Sequence, residues 1–294
     1  MSLLTGKTAV VLGVADRESL AWAIARNLML AGATVVIGYQ HKFFSRVNLL
    51  LKEEPSIRGQ RCDILNPDEL EEFFQKLKEN GLDVLVHSIA FGPISIFASP
   101  PSEVSAADFS ETLEISAHSL AKVVRYAKPF LNPTASVITL SFQASQRAMP
   151  LYGMMGVAKA ALESLVRYLA IELGRTGVRV NAVSAGPVET LAALSEIIAL
   201  KRNPNALTQI TDPGLRQVFE KMTATLGQDG DEMEFAKACW RTIQEKFAQK
   251  SALPEILSAD DVAQAVLFFA SDASKRITGQ ILNVDCGYSA CQWV

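Results

Sequence analysis

The stretch TAVVLGVADRESLAWAIARNLMLAGATVVIGY, residues 8–39, decides the fold. It opens on a continuous apolar run, TAVVLG, crosses a polar turn, takes up a helical period over residues 19–31 and returns to a second apolar run, TVVIGY. Short Val/Ile-rich runs that are apolar at every position read as strands buried on both faces, and a helix between two of them makes them parallel. The rhythm then repeats: a helix near residues 68–80, LDVLVHSIA, a helix near 106–131, ASVITLS, a helix near 153–175, RVNAVSAG and, late, ILNVDCG. This pattern predicts an α/β fold, a doubly wound parallel sheet in a single domain over residues 1–294. Ligands of such sheets bind at the carboxyl ends of the strands, so the residues just after each run carry the functional interest.

Composition narrows the function classes. The 294 residues are 49% hydrophobic and 20% charged, with a net charge of −3 and no run of Lys and Arg, which argues against a nucleic-acid partner. Runs such as LDVLVHSIAF fall far short of the ~20 apolar residues of a membrane span. The start, MSLLTGKTAVVLG, enters the first strand without a charged leader or cleavage pattern. Cys62, Cys239, Cys286 and Cys291 lack CxxC spacing and read as reduced thiols of a cytoplasmic protein. Three histidines, none beside a Cys/Asp cluster, give no basis for a metal site.

Between residues 186 and 260 the strand rhythm stops and two helices are expected. One starts at Asp212-Pro213, carries Leu215, Val218, Phe219, Met222 and Leu226 on one stripe, and stops at Gly227; the other carries Ala236, Trp240, Ile243 and Phe247. We bound this helical insertion at residues 195–257, before the last helix and strand. It reads either as a satellite packed on the sheet edge or as a lid over an apolar ligand.

At the nucleotide end, GVADRESLAWAIARNL supplies only Gly13 of the three glycines of a dinucleotide fingerprint. Ser19 at the helix start serves as an N-cap, a pyrophosphate ligand or both. Gln40, after the second strand, can hydrogen-bond ribose hydroxyls, while Lys42 and Arg46 nearby can meet a 2′-phosphate, so NADH is favoured and NADPH stays possible. Asp63 reads as an acceptor for an adenine amino group or as a local cap. Further on, MPLYGMMGVAKAALESL places Tyr152 and Lys159 seven residues apart, two helical turns, on one face. The residues around that lysine are small and apolar, which is odd for a solvated cation.

Together GVADRESLAWAIA, VVIGYQ, CDI, VHSIAFGP, SQRAMPLYGMMGVAKAALESLVRYLA, GVRVNAVSAGPVETLAA and ITGQILNVDCGYS resemble the enoyl-acyl-carrier-protein reductases of the short-chain dehydrogenase/reductase superfamily. The resemblance implies a Rossmann-like fold, a homotetramer, an NADH cofactor and an enoyl thioester on acyl carrier protein as substrate, in fatty acid biosynthesis. It implies that Gly13, Ser19, Leu20, Gln40, Asp63, Ile64, Ser88, Ile89, Ala90, Lys159, Val188, Thr190, Leu191 and Ala192 bind the dinucleotide. Gly92 and Phe142 would lie by the acyl substrate, and Tyr152 and Lys159 would be catalytic, with Tyr152 also touching substrate.

The spacing of seven suits the implied chemistry. Ketone-reducing relatives hold tyrosine and lysine four apart, and the phenol protonates oxygen on the carbon that takes hydride. In an enoyl thioester hydride adds to C3, and charge develops on an oxygen two bonds further away than in a ketone. One more helical turn moves the phenol ~5 Å along the same face. Three residues depart from the family pattern. Phe142 stands where many members carry a second tyrosine, Ser116 where an asparagine is common, and Glu189 where a basic residue is frequent. A carbonyl or 3-oxoacyl reductase and a non-catalytic dinucleotide-binding paralogue are the competing readings. The insertion's apolar stripes are expected to wall a deep acyl pocket, and Lys201-Arg202 to meet a carrier protein or simply solvent.

Overall fold

The computed structural model describes residues 3–78, 81–149, 152–202, 213–226 and 231–291. Seven strands form one all-parallel sheet in the order β3-β2-β1-β4-β5-β6-β7. They are β1 (Thr8–Leu12), β2 (Thr34–Tyr39), β3 (Arg58–Arg61), β4 (Leu82–His87), β5 (Leu131–Phe142), β6 (Arg179–Ala185) and β7 (Ile281–Val284). The helices are α1 (Leu20–Leu30), α2 (Phe44–Glu53), α3 (Pro67–Gln75), α4 (Ser95–Ala98), α5 (Ala106–Leu113), α6 (Ser119–Ala127), α7 (Gly153–Gly174), α8 (Leu191–Arg202), α9 (Pro213–Leu226), α10 (Glu232–Gln249) and α11 (Ala259–Ala270). The predicted doubly wound sheet is the observed one. The strand order reverses between β1 and β4, which opens a crevice at their carboxyl ends.

Two cores sandwich the sheet. On one face α1, α2 and α11 pack Ile24, Leu28, Val47, Val266 and Phe269 onto Val11, Val35 and Ile37. On the other, α3, α6 and α7 pack Phe73, Phe74, Leu120, Val123, Leu162 and Val166 onto Val10, Leu85 and Val137. Side chains of this size contribute roughly 1.5–3 kcal/mol each when fully buried. β1 and the central part of β4 are buried on both faces, which is why they read as unbroken apolar runs.

Several expectations need correction. The pattern missed α2 and β3; β3 is the polar edge segment RGQR, largely open to solvent. The helix expected over 68–80 ends at Gln75, and residues 79 and 80 lie outside the described part. The long helix expected over 106–131 is interrupted: a π-helical turn, Glu114–His118, joins α5 to α6, and β5 already begins at Leu131. The segment after β6 starts with an unpredicted helix, α8, ahead of the 195 boundary.

The two expected insertion helices are present as α9 and α10. Their stripes, however, build a cluster of their own with α8: Leu194, Ile197, Leu200, Val218, Phe219, Phe235, Ala236 and Cys239, with Met222, Trp240 and Ile243 against them. Phe247 leaves this cluster and stacks on Tyr288 with ring centroids 3.6 Å apart. Asp212, Gly227 and the side chains of Leu215 and Leu226 lie outside the described residues.

Candidate functional site

The topology brings the sequence-predicted residues to one edge of the sheet. Gly13, Ser19 and Leu20 follow β1, Gln40 follows β2, Asp63 and Ile64 follow β3, Ser88 to Gly92 follow β4, Phe142 ends β5, and Val188 to Ala192 follow β6. Gly13 adopts φ +99° and packs against the end of β4, where a Cβ would lie 2.0 Å from the Ser88 carbonyl oxygen. Only glycine allows that approach. Ser19 is the N-cap of α1, accepting from Trp22 N and donating to the Asp16 carbonyl at 2.7 Å. Asp63 accepts from Leu65 N at 3.0 Å in a local turn and is not the cap expected as its alternative role, because Asn66 is the N-cap of α3. Ile64 is 3% exposed and packs its side chain into the core, so any contact it makes with a cofactor is through its main chain. Thr190 Oγ1 accepts from Ala193 N at 3.2 Å and fixes the start of α8.

Tyr152 and Lys159 stand at the head of α7. Tyr152 is the residue before the helix, and Gly153 follows it at φ +39°. A Cβ on Gly153 would sit 2.2 Å from the Ile96 carbonyl oxygen, so this glycine lets α7 start against α4. The phenol ring lies between Phe142, 4.7 Å away between centroids, and Phe97, edge-on at 6.2 Å. Phe142 therefore shapes the wall behind the phenol. Burial first, and the Glu196 carboxylate second, push the phenol above its ordinary pKa, which keeps it a proton-bearing donor.

Lys159 is 6% exposed and donates from Nζ to the Leu140 carbonyl at 3.0 Å. Burial brings its pKa down to about 8, against the opposing pull of Glu163 and then Glu196. One turn further, the buried Glu163 accepts from Ser141 and Ser145 hydroxyls, each at 2.6 Å. These bonds tie α7 to the end of β5. Lys159 is thus not a solvated surface cation: its ammonium points into the protein.

The sequence reading missed four contributors. Glu163 sits four residues beyond Lys159 on the same face, a spacing that could have marked it. Glu196, on α8, lies close enough to feel the Lys159 charge, and burial raises its carboxyl to about 8; it was hidden because α8 itself went unread. His87 is fully buried at the end of β4, with Nδ1 3.0 Å from Thr139 Oγ1 and Nε2 2.8 Å from Ser119 Oγ. Burial, with Lys159 next, lowers its pKa to about 3, so it is a neutral strut joining β4, β5 and α6. Ser116, noted only as a departure, lies in the π-helical turn, donates to Phe91 O at 2.7 Å and accepts from Phe91 N at 2.9 Å. Its hydroxyl fixes the backbone beside Gly92, a use in keeping with the way π-turns recur at functional sites.

This edge fits a dinucleotide. An ammonium has three N–H donors, and one of those on Lys159 goes to Leu140 O, which leaves capacity for a ribose diol. The leading amides of α1 and the tight turn at Gly13 suit a pyrophosphate. Among the described residues no group of three or more His, Cys, Asp or Glu side chains could hold a metal ion. Lys201 lies over the Phe235 ring at 4.8 Å, and Arg202 pairs with Glu232 at 2.5 Å, so both expected docking cations are engaged within the helical cluster.

Comparison with known proteins agrees with this geometry. A family model described as Enoyl-(Acyl carrier protein) reductase matches residues 13–212 and 231–289. The chain is 34% identical to the enoyl-[acyl-carrier-protein] reductase [NADH] FabI of Nostoc sp., over 97% of both proteins. Among solved structures, the Anaplasma phagocytophilum enoyl-acyl-carrier-protein reductase in complex with NAD superposes with TM-score 0.79 at 29% identity, covering 99% of this chain and 95% of that one. The Bacillus cereus reductase with NADP+ and an indole naphthyridinone gives TM-score 0.81 at 30% identity over the whole of both chains.

Proposed function

The chain belongs to the enoyl-acyl-carrier-protein reductase family, and on that premise we propose that it reduces the 2,3 double bond of trans-2-enoyl thioesters on acyl carrier protein with NADH, in fatty acid biosynthesis. One observation carries the reading: Tyr152 and the buried Lys159 stand seven residues apart at the head of α7, against the carboxyl end of β5, with the cation turned inward.

Bound NADH supplies the hydride that adds to C3 of the alkene. As negative charge develops on the thioester oxygen, Tyr152 donates a hydrogen bond to it; a preorganised donor of this kind contributes about 3 kcal/mol to the transition state. Phe97 and Phe142 hold the phenol in place. Lys159 orients the nicotinamide ribose through its remaining N–H donors, and Leu140 O and Glu163 hold the ammonium there. The Ser116 clamp on Phe91 keeps the loop next to Gly92 rigid beside the acyl chain.

The residues after β6, including the helical insertion over 195–257, act in this reading as the substrate loop. Two facts support it: Glu196 of α8 lies within charge range of Tyr152 and Lys159, and Ile94, just past Gly92, packs against the α8–α10 cluster. Replacing residues 205–250 by a short linker should abolish discrimination between short and long enoyl thioesters; unchanged discrimination would remove the loop from substrate binding.

Assembly into a homotetramer is supported by the apolar side chains that α7 leaves open, Tyr168 at 71% and Ile171 at 75% exposure. Sedimentation would read the mass directly, and a monomer would contradict it. A cytoplasmic location is supported by four free thiols. None of the described helices is long and apolar enough to cross a membrane.

The activity is tested by following NADH and NADPH oxidation with crotonyl, octenoyl, dodecenoyl and acetoacetyl thioesters. Turnover of the enoyl series alone is expected. Turnover of acetoacetyl thioester alone would make the protein a ketone reductase, and tight cofactor binding without turnover would make it a non-catalytic paralogue.

A further inference from the structure

The mechanism leaves the buried acid Asp16 without a task. Asp16 lies in the turn between β1 and α1, three residues past Gly13, and is 7% exposed. Its main chain is fixed by the Ser19 hydroxyl, which donates to its carbonyl at 2.7 Å. Of its two carboxylate oxygens, Oδ2 faces the Arg46 guanidinium of α2 at 3.8 Å. Oδ1 is buried and has no hydrogen-bond partner among the described residues. An acceptor left in that state is desolvated without compensation, and an arriving ligand that donates to it removes that penalty.

The position of this oxygen suggests which ligand. β1 and β2 are paired with Leu12 opposite Gly38, so the turn after β1 and the segment after β2 stand side by side at the carboxyl edge of the sheet. Arg46 reaches Asp16 from the β2 side, across the region where Gly13 and Gln40 mark the adenosine half of the cofactor. The cations of this region are engaged elsewhere: Arg17 with Glu53, Lys42 over the Phe43 ring at 5.1 Å, and Arg46 with Asp16. Burial and then Glu18 raise the Asp16 carboxyl from its ordinary value, opposed by Arg46 and then by the main-chain N–H groups of Glu18 and Ser19, which face the carboxylate and leave Oδ1 unpaired.

We propose that Asp16 sets the cofactor choice. Its carboxylate accepts a hydrogen bond from an adenosine-ribose hydroxyl of NADH and repels the 2′-phosphate that replaces one such hydroxyl in NADPH. It also holds Arg46 away from service as that phosphate's counter-ion. The proposal rests on the nucleotide site of the reductase reading and not on its chemistry. It differs from selection by the residue that follows β2, which here is the neutral Gln40.

The test is equilibrium binding of NADH and of NADPH, followed by quenching of protein fluorescence without acyl substrate. A failure of enoyl turnover would not touch this result. The wild-type protein is expected to bind NADH at least tenfold tighter than NADPH. Asp16→Asn, which keeps the shape and removes the charge, should move that ratio at least tenfold toward NADPH, and Asp16→Ser should do the same. Arg46→Ala, an exposed change, leaves the carboxylate uncompensated and should weaken NADPH binding severalfold while NADH binding stays within twofold. Equal affinities in the wild type would overturn the assignment. So would Asp16 variants that melt at the wild-type temperature and keep its NADH-to-NADPH ratio, or an Arg46→Ala variant with unchanged NADPH affinity.

Discussion

Replacing Tyr152 by phenylalanine removes one oxygen from the site and little else. The ring keeps its neighbours, since Phe142 at 4.7 Å and Phe97 at 6.2 Å contact the aromatic face and edge. No hydrogen bond within the described residues depends on the Tyr152 hydroxyl, so the loss falls on the reaction and spares the fold. The phenol is held above its ordinary pKa by burial, then by Glu196, so at pH 7 it is a hydrogen-bond donor. Removing a donor aimed at developing charge costs about 3 kcal/mol, which at 1.36 kcal/mol per decade is roughly a 150-fold fall in rate. Because the bond forms only as charge develops, kcat and kcat/KM should fall together. Lys159 holds the cofactor separately, so NADH affinity should stay within about twofold. The assay is steady-state oxidation of NADH with crotonyl thioester at pH 7, beside fluorescence titration of NADH. A kcat within threefold of wild type, or a loss explained wholly by weaker NADH binding, would refute the role.

Other outcomes follow from the same groups. Burial depresses the Lys159 pKa to about 8, so its ammonium is complete below that pH and is lost as pH rises through it; NADH binding should weaken above pH 8, and Lys159→Met should bind weakly with no such step. Glu196 raises the Lys159 pKa, so in Glu196→Gln the step should move to lower pH, again read by NADH titration. Gly153→Ala forces a Cβ to 2.2 Å from Ile96 O at a φ of +39°, and about 2–4 kcal/mol of stability should be lost in urea unfolding, with a lower kcat as α7 shifts off α4.

The sheet was legible because β1, β2, β4, β5 and β6 are buried along most of their length and so carry unbroken apolar runs. β3 was not, since an edge strand such as RGQR needs no apolar side chains to pair through its backbone. α8 was missed because its stripe, Leu194, Ile197 and Leu200, packs against α9 and α10, and no strand follows to mark its end. Tyr152 and Lys159 were legible from spacing and from the small residues around the lysine. The groups that position them were less so. Glu163 looks like a surface charge until Ser141 and Ser145 are seen to close on it, and those serines sit 22 and 18 residues away in the chain. Ser116 looked like a mere departure from the family pattern, but it gains its use from the π-turn that brings its hydroxyl to Phe91. Such contacts depend on tertiary register, which one-dimensional periodicity does not encode.

The seven-residue spacing makes a claim about which carbon receives hydride, and isotope transfer reads it. With NADH deuterated at nicotinamide C4, crotonyl thioester should yield butyryl thioester with deuterium at C3 and a solvent-derived hydrogen at C2, as seen by NMR, while acetoacetyl thioester stays unlabelled. Deuterium delivered instead to the ketone carbon of acetoacetyl thioester, with crotonyl thioester untouched, would contradict the placement of Tyr152 for an enolate.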